Sequence, residues 1–270
     1  MNLLFSKMQS LGNDYILIDL LHQSFDQSAL IDLAPVLCDR RMGIGADDLI
    51  LLSSGVDTDY SVQIVNPDGC EAPMCGNAMF CVSRFLHDRG AFVNDSINLS
   101  TKVGIQSVRR SESRFILNIG QPVFAYPPGT TIVETLSFEE ERIDLTYLQM
   151  GTFHAIVFVQ DLDNYPVTHI GPILEHHPRF PTTTNVMFVK WQGGSSARVR
   201  PWERGGTGET LSCGTGACAV AVVLKERFGI EGMIDIHFQK GTLKVNVDLQ
   251  HGVEVLGDAT FVFQGEWPNK

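Results

Sequence analysis

The sequence predicts a mixed α/β (α+β) chain of two structurally similar halves, each a sheet wrapped around one central helix. Three observations carry that expectation. A motif recurs: residues 71–77, Glu-Ala-Pro-Met-Cys-Gly-Asn, and residues 209–215, Glu-Thr-Leu-Ser-Cys-Gly-Thr, both read Glu-x-x-x-Cys-Gly-[Asn/Thr]. Their offset, 213 minus 75, is 138 residues, about half of the 270-residue chain. Each copy is followed by a helix-like apolar stretch, and the rest of the chain falls into short β-rich runs punctuated by Gly, Pro, Asn and Asp.

In chain order, Tyr15–Ile18 and Leu49–Leu52 read as strands, and a glycine-containing turn leads to Cys75 and a helix over Ala78–Leu86. Pro122, Pro127, Pro128 and Gly129 break regular structure, so a linker is expected over Gln121–Thr131. The second half repeats the order. Ala155–Val159 and Val186–Val189 read as strands, Ala217–Leu224 as a helix apolar on every face and therefore buried all round, and Leu243–Val247 as a further strand. Within one residue of the same offset, Gly12–Ile18 lines up with Gly151–Val157, and Asn66 falls opposite Arg204. The halves are therefore expected over 1–120 and 121–259. A duplicated fold commonly keeps its ligand site where the copies meet.

Composition excludes several classes. Hydrophobic residues make up 44% and charged residues 19%, ordinary for a globular chain that can bury a core without disulfides or metals. The net charge is −11 and no Lys/Arg cluster offers a phosphate-tracking stripe, so no nucleic-acid partner is expected. No run approaches the roughly 18 apolar residues of a membrane span, and the start lacks the pattern of a signal peptide. The cytoplasm is the expected location, and there the six cysteines are expected as free thiols. Cys38, Cys70, Cys81 and Cys218 read as small buried apolar residues. The cysteine spacings lack the tight x2 pairing of zinc ribbons, and neither a pyridoxal-phosphate lysine motif nor a phosphate-cradling loop is visible. No metal and no cofactor are expected.

Cys75 and Cys213 invite a sharper reading. A cysteine at the start of a buried helix meets free backbone N–H groups and the positive end of the helix dipole. Both favour thiolate, and the same N–H groups bind a carboxylate. Two such helix starts suit proton abstraction at a carbon next to a carboxylate. One thiolate removes the α-proton, the other thiol returns a proton to the opposite face, and the fixed dipoles stabilise the developing charge. Gly76 and Gly214 leave room for a ligand to reach the backbone.

These residues lie in segments that resemble the diaminopimelate epimerase family along nearly the whole chain. The matching stretches are Lys-Met-Gln-Ser-Leu-Gly-Asn-Asp-Tyr (7–15), Arg-Met-Gly-Ile-Gly-Ala-Asp (41–47), Asn-Pro-Asp-Gly (66–69), Met-Cys-Gly-Asn-Ala (74–78), Met-Gly-x-x-His-Ala (150–155), Thr-Asn-Val-x-Phe-Val (184–189), Trp-Glu-Arg-Gly (202–205) and Gly-Glu-Thr-Leu-Ser-Cys-Gly-Thr-Gly-Ala-Cys (208–218). The resemblance implies two pseudo-symmetric domains of strongly curved, mostly antiparallel sheet, a C-terminal strand (about 260–270) returning to the first domain, and a homodimer. It implies an isomerase that converts LL-2,6-diaminopimelate to the meso isomer without a cofactor, for lysine and cell-wall synthesis.

The same resemblance assigns roles. Cys75 and Cys213 are the acid/base pair. Gly76, Asn77, Gly214 and Thr215 bind the reacting carboxylate, with Asn13 beside the reacting end. Asn66, Asn185 and Arg204 hold the distal carboxylate, with Glu203 at the distal ammonium. His154 and Glu203 help to set the thiols' protonation. Read singly, Asn13 and Asn66 would pass for turn residues, Arg204 for a surface ion pair and His154 for a satisfied core histidine. The chain departs from the family pattern at Thr152-Phe153 (usually Asn-Pro), at Asp48 (usually Gln or Gly), at Phe80 (commonly Arg), and by one extra residue through Gly205-Gly206-Thr207-Gly208. Thr152 and Asp48 touch substrate recognition, which leaves a racemase of histidine, ornithine or lysine on the same scaffold as the alternative. A thiol redox or amino-acid-binding protein is the other alternative, disfavoured because no Cys-x-x-Cys is present.

Overall fold

The computed structural model describes residues 2–92, 94–124, 133–138, 141–180, 182–205 and 207–268. The chain forms two compact units, Met1–Leu117 with Gly257–Lys270, and Asn118–Leu256.

In the first unit, β1 (Leu3–Ser10) and β2 (Asn13–Asp19) form an antiparallel hairpin. Its turn needs Gly12, at φ 91°. Helix α1 (Gln27–Cys38) carries the chain to β3 (Asp48–Ser54), parallel to β2. Then β4 (Tyr60–Val65) runs antiparallel to β3, and the short β5 (Glu71–Ala72) antiparallel to β4. Helix α2 (Gly76–Asp88) leads to β6 (Ser96–Thr101), parallel to β4, and β7 (Gly104–Ser111) and β8 (Arg114–Asn118) follow as an antiparallel meander. The two parallel pairings are the two that a helical crossover connects, as strand direction requires.

The second unit repeats this pairing order. Strands β9 (Val123–Phe124) and β10 (Glu134–Phe138) lie against β11 (Glu141–Met150), which turns at Gly151 into antiparallel β12 (Thr152–Phe158). Helix α3 (Val167–Glu175) leads to β13 (Asn185–Trp191), parallel to β12; β14 (Ser196–Glu203) and β15 (Gly208–Glu209) follow antiparallel. Helix α4 (Gly214–Phe228) precedes β16 (Met233–Phe238), parallel to β14, and then β17 (Gly241–Asp248) and β18 (Gly252–Gly257) close the series. The chain ends in the first unit as β19 (Thr260–Trp267), antiparallel to β1.

Alternation along the strands decides which side chains face which helix. In the first unit, Ile16, Ile18, Leu49 and Leu51 pack with Leu30, Ala34 and Leu37 of α1. Tyr15, Leu17, Asp48 and Ile50 therefore lie on the other face, where α2 packs. In the second unit, Ala155, Val157, Val186 and Phe188 pack with Val167, Ile170 and Leu174 of α3. His154, Ile156, Asn185 and Met187 face α4; a Cβ on Gly216 would lie 2.4 Å from Met187 Sδ. Strands covered on both faces read as continuous apolar runs, which is how they stand in the sequence.

The structure adds α1 and α3 to the single helix expected in each half. Both contain a proline, Pro35 and Pro172, which reads as a breaker. Asp26 caps α1 by accepting from Ser28 N–H at 3.1 Å. The strand expected over Ala155–Val159 ends at Phe158. Within the expected linker, Val123–Phe124 is a strand, and residues 125–132 lie outside the described residues. Among the described residues, no helix is long and apolar enough to cross a membrane.

Candidate active site

Cys75 and Cys213 occupy matching backbone positions. Each is the residue capping its central helix: Cys75 at φ −137°, ψ 118° ahead of α2, and Cys213 at φ −140°, ψ 115° ahead of α4. Neither cap is closed by a side-chain hydrogen bond to the helix. The first intrahelical bonds run from Met79 N–H to Cys75 O (3.1 Å) and from Ala217 N–H to Cys213 O (2.9 Å). The amides of Gly76–Ala78 and Gly214–Gly216 precede those bonds, so helix geometry gives them no partner within the helix. Both motifs follow a glycine in the left-handed region, Gly69 (φ 82°) and Gly208 (φ 81°). Cys75 is half-buried and Cys213 buried.

Around Cys75, the motifs at 7–15 and 41–47 are joined by charge. Asp14, next to Asn13, is gripped by Arg40 through two bonds (2.7 and 3.1 Å) and by Lys7 at 2.6 Å. Arg40 also reaches Asp47 at 2.6 Å, and Lys7 donates to Gly45 O. Burial works against ionisation of Asp14, but the Arg40 and Lys7 contacts outweigh it and lower its pKa. Asn13 and Asp48 stand next to Asp14 and Asp47 in the chain. Tyr15 pairs with Asp48 in the parallel β2–β3 ladder, and its hydroxyl lies 3.2 Å from Cys75 Sγ. Asn66 opens a tight turn, accepting from Gly69 N–H at 2.9 Å and donating its own N–H to Cys70 O at 2.9 Å.

Around Cys213, Thr215 Oγ1 lies 3.7 Å from the sulfur. Gly151, at φ 69°, brings the β11–β12 turn against the same helix start; a Cβ there would lie 3.3 Å from Thr215 Cγ2. His154 pairs with Asn185 in the parallel β12–β13 ladder. Asn185, buried, accepts Arg204 N–H at 3.0 Å, and Glu203 accepts from Thr210 Oγ1 at 2.6 Å. His154 is completely buried, and among the described residues neither ring nitrogen has a well-formed hydrogen-bond partner. It is a core histidine but not a satisfied one. Burial brings its pKa down to about 3; the nearby Met150 backbone opposes this without forming a well-aligned hydrogen bond, and the Arg204 charge adds to the lowering.

The diaminopimelate epimerase family profile matches residues 5–125 and 146–262. This chain belongs to the diaminopimelate epimerase family. A diaminopimelate epimerase of Pelotomaculum thermopropionicum is 38% identical over 277 residues, covering 98% of both chains. One from Desulfovibrio desulfuricans is 34% identical over 284 residues, covering 97% of both. The fold is also that of a Bacillus anthracis phenazine biosynthesis protein of the PhzF family, with a TM-score of 0.73 at 16% identity over the full length of both chains.

Several departures from the diaminopimelate epimerase pattern have packing reasons. Phe153 stacks on Tyr147 (5.5 Å), which stacks on Phe180 (4.5 Å), so it belongs to the core beneath α3. Phe80 is fully buried, and a Cβ on Gly257 would lie 2.4 Å from its ring. Thr152 and Asp48 stay half-buried. Gly206 lies outside the described residues. Cys38, Cys81 and Cys218 are buried as expected, their thiols pushed up by burial, Cys38 to about 12. Cys70 is exposed, because it follows the turn at Gly69 rather than entering a helix. Strand register also adjusts one alignment: Leu49 pairs with Val65 and Val186 with Trp202, so Asn66 stands opposite Glu203, one residue from Arg204.

Two residues of the site were given no role by the sequence. Tyr15 reads as the first apolar residue of a strand. Glu175 ends α3, where an acid reads as solvated, yet it is buried; it accepts from Trp202 Nε1 (2.8 Å) and Gly205 N–H (2.8 Å), so it holds both flanks of Glu203-Arg204.

Proposed function

We propose that this chain epimerises LL-2,6-diaminopimelate to meso-diaminopimelate without a cofactor, with Cys75 and Cys213 as the two bases. The observation that supports this most is the duplicated pose of the two cysteines, each capping a buried helix whose first amides are left without an intrahelical partner. A carboxylate satisfies such amides. With the substrate held there, one thiolate takes the α-proton, the opposite thiol gives one to the other face, and configuration inverts. Charge moving onto the carboxylate meets dipoles already oriented for it. Gly76, Asn77, Gly214 and Thr215 hold the reacting carboxylate, with Asn13, Asp48 and Thr152 nearby. Arg204, with Asn66 and Asn185, takes the distal carboxylate, and Glu203 the distal ammonium. A substrate with a second amino-acid group pairs both charges. Lysine, ornithine and histidine each leave the Arg204 guanidinium without a carboxylate.

The names of the relatives support this substrate, and a reducing cytoplasm, the location we propose, suits two free thiols. The chain is further proposed to act as a homodimer. Strand β19 pairs along one edge with β1, and Phe261, Val262 and Phe263 are exposed on both of its faces.

The test is α-deuterium incorporation in deuterated water, read by NMR, with diaminopimelate, lysine, ornithine and histidine as substrates. Diaminopimelate is expected to exchange fastest. Cys75→Ser and Cys213→Ser should each lose several orders of magnitude in turnover, since a hydroxyl is a far poorer base near neutral pH. Near-normal turnover in either variant would falsify the two-base reading, and faster exchange of histidine or ornithine would replace the substrate.

A further inference from the structure

The two halves share a backbone plan but place different side chains beside their cysteines. In the first unit, the residue paired with the first position of β3 is Tyr15, across from Asp48. In the second, the residue paired with the first position of β13 is His154, across from Asn185. Tyr15 is 1% exposed, points to the face that carries α2, and sets its hydroxyl oxygen 3.2 Å from Cys75 Sγ. Cys213 has Thr215 Oγ1 at the longer distance of 3.7 Å.

We propose that Tyr15 is a positioning residue for Cys75: its buried hydroxyl donates to the sulfur, aims it, and favours its thiolate over its thiol. This rests on the reading of Cys75 as one of the two bases. A thiolate can only accept, so the phenol must be the donor once Cys75 is ionised. A hydrogen bond to an ionised partner is roughly twice as strong as one between neutral groups. The same contact therefore stabilises the thiolate more than the thiol. When Cys75 takes the substrate's α-proton, the new S–H keeps that proton, Tyr15 keeps its own, and the bond relaxes to a neutral one.

The surroundings make this donor matter. The ionisable groups that act on Tyr15 are Cys75 itself, Asp48 on β3 and Cys81 on α2, and Asp14 on β2 and Asp258 just before β19 act in turn on Cys81. All of these are acidic groups. The helix start and the phenol both favour negative charge on Cys75. Burial first, then Cys75, Asp48 and Cys81, keep the Tyr15 phenol protonated far above neutral pH, so it is a donor across the working range.

The test is the pH dependence of iodoacetamide alkylation at Cys75, read by peptide mass spectrometry on the intact full-length protein. Cys213 serves as the internal reference. In Tyr15→Phe, which keeps the ring and removes only the hydroxyl, the Cys75 midpoint is expected to rise and its alkylation at pH 7 to slow by about fivefold. The Cys213 profile should stay where it is. Replacing Tyr15 by 3-fluorotyrosine keeps the fold and makes the phenol a stronger donor, so the Cys75 midpoint should fall. If Tyr15→Phe does not fold, the fluorotyrosine chain decides alone. A Cys75 midpoint unmoved by the fluorinated residue, or lowered in Tyr15→Phe, overturns the proposal. The reading of Cys75 as a base is tested separately by turnover of Cys75→Ser. An inactive Cys75→Ser with an unmoved Cys75 profile in Tyr15→Phe removes the role of Tyr15 and leaves the two-base reading standing.

Discussion

A completely buried histidine costs stability when it must carry charge, and His154, with no well-formed hydrogen-bond partner among the described residues, is in that position. At neutral pH it is the uncharged imidazole, so any help it gives to the thiols comes from a neutral ring. The sign of the linkage follows. Its folded pKa of about 3 lies below the ordinary 6.5. As pH falls through 6.5, the unfolded chain takes up a proton that the native chain refuses, and stability is lost progressively until about pH 3. Between pH 7 and pH 5 the loss from this residue is about 2 kcal/mol. His154→Leu removes the titration, so its urea-unfolding free energy should fall less than that of wild type over the same interval, by about that amount. An equal fall in both chains would mean that His154 is protonated or solvated in the native state. From sequence alone this histidine is ambiguous, because one residue cannot show whether its ring finds partners. The ordered motifs around it placed it near the chemistry, and only the fold shows that it is buried.

At the scale of elements, Glu175 shows why part of the site was legible and part was not. Cys75 and Cys213 stand out because the same local requirement, a small nucleophile followed by glycine at a helix start, is written twice. Strands such as Leu49–Leu52 were legible because they are covered on both faces. Helices α1 and α3 were not, since Pro35 and Pro172 mask their periodicity. Glu175 was invisible because its partners, Trp202 and Gly205, are about 30 residues away in sequence and meet it only through the β13–β14 hairpin. Its carboxylate accepts two buried N–H donors, one on either side of Glu203-Arg204. In Glu175→Gln one of those donors must face an amide NH2 instead of an oxygen, at a cost of about 1–3 kcal/mol. The expected result is a lower melting temperature and a raised KM for diaminopimelate, with kcat changed less, because Arg204 is displaced rather than removed. A variant with wild-type KM and melting temperature would show that the segment is held without Glu175.

At the scale of the whole molecule, β19 carries a run of consecutive exposed apolar side chains among the described residues. Side chains of β19 from Thr260 to Gln264 are exposed whichever way they point, and the run includes Phe261, Val262 and Phe263 at 43%, 51% and 45%. Leu4, on the adjacent β1, is 51% exposed. An edge strand with apolar residues on both faces is an aggregation hazard unless something pairs with it or covers it. Natural edges are usually blunted by charge or proline, and from 260 to 264 neither occurs. A second copy offering the same strand is the economical cover, because a two-fold interface matches like with like. The expectation is a dimer by analytical ultracentrifugation at micromolar concentration. Val262→Lys, which puts a charge in the exposed run without touching β1's pairing partners in the core, should shift the protein toward monomer. Since β19 is paired with β1, and β1 continues through its hairpin into Asn13 and Tyr15, loss of the partner should also lower turnover. A Val262→Lys protein that remains dimeric would place the self-association elsewhere, and a wild-type monomer with full activity would remove the dimer from the account altogether.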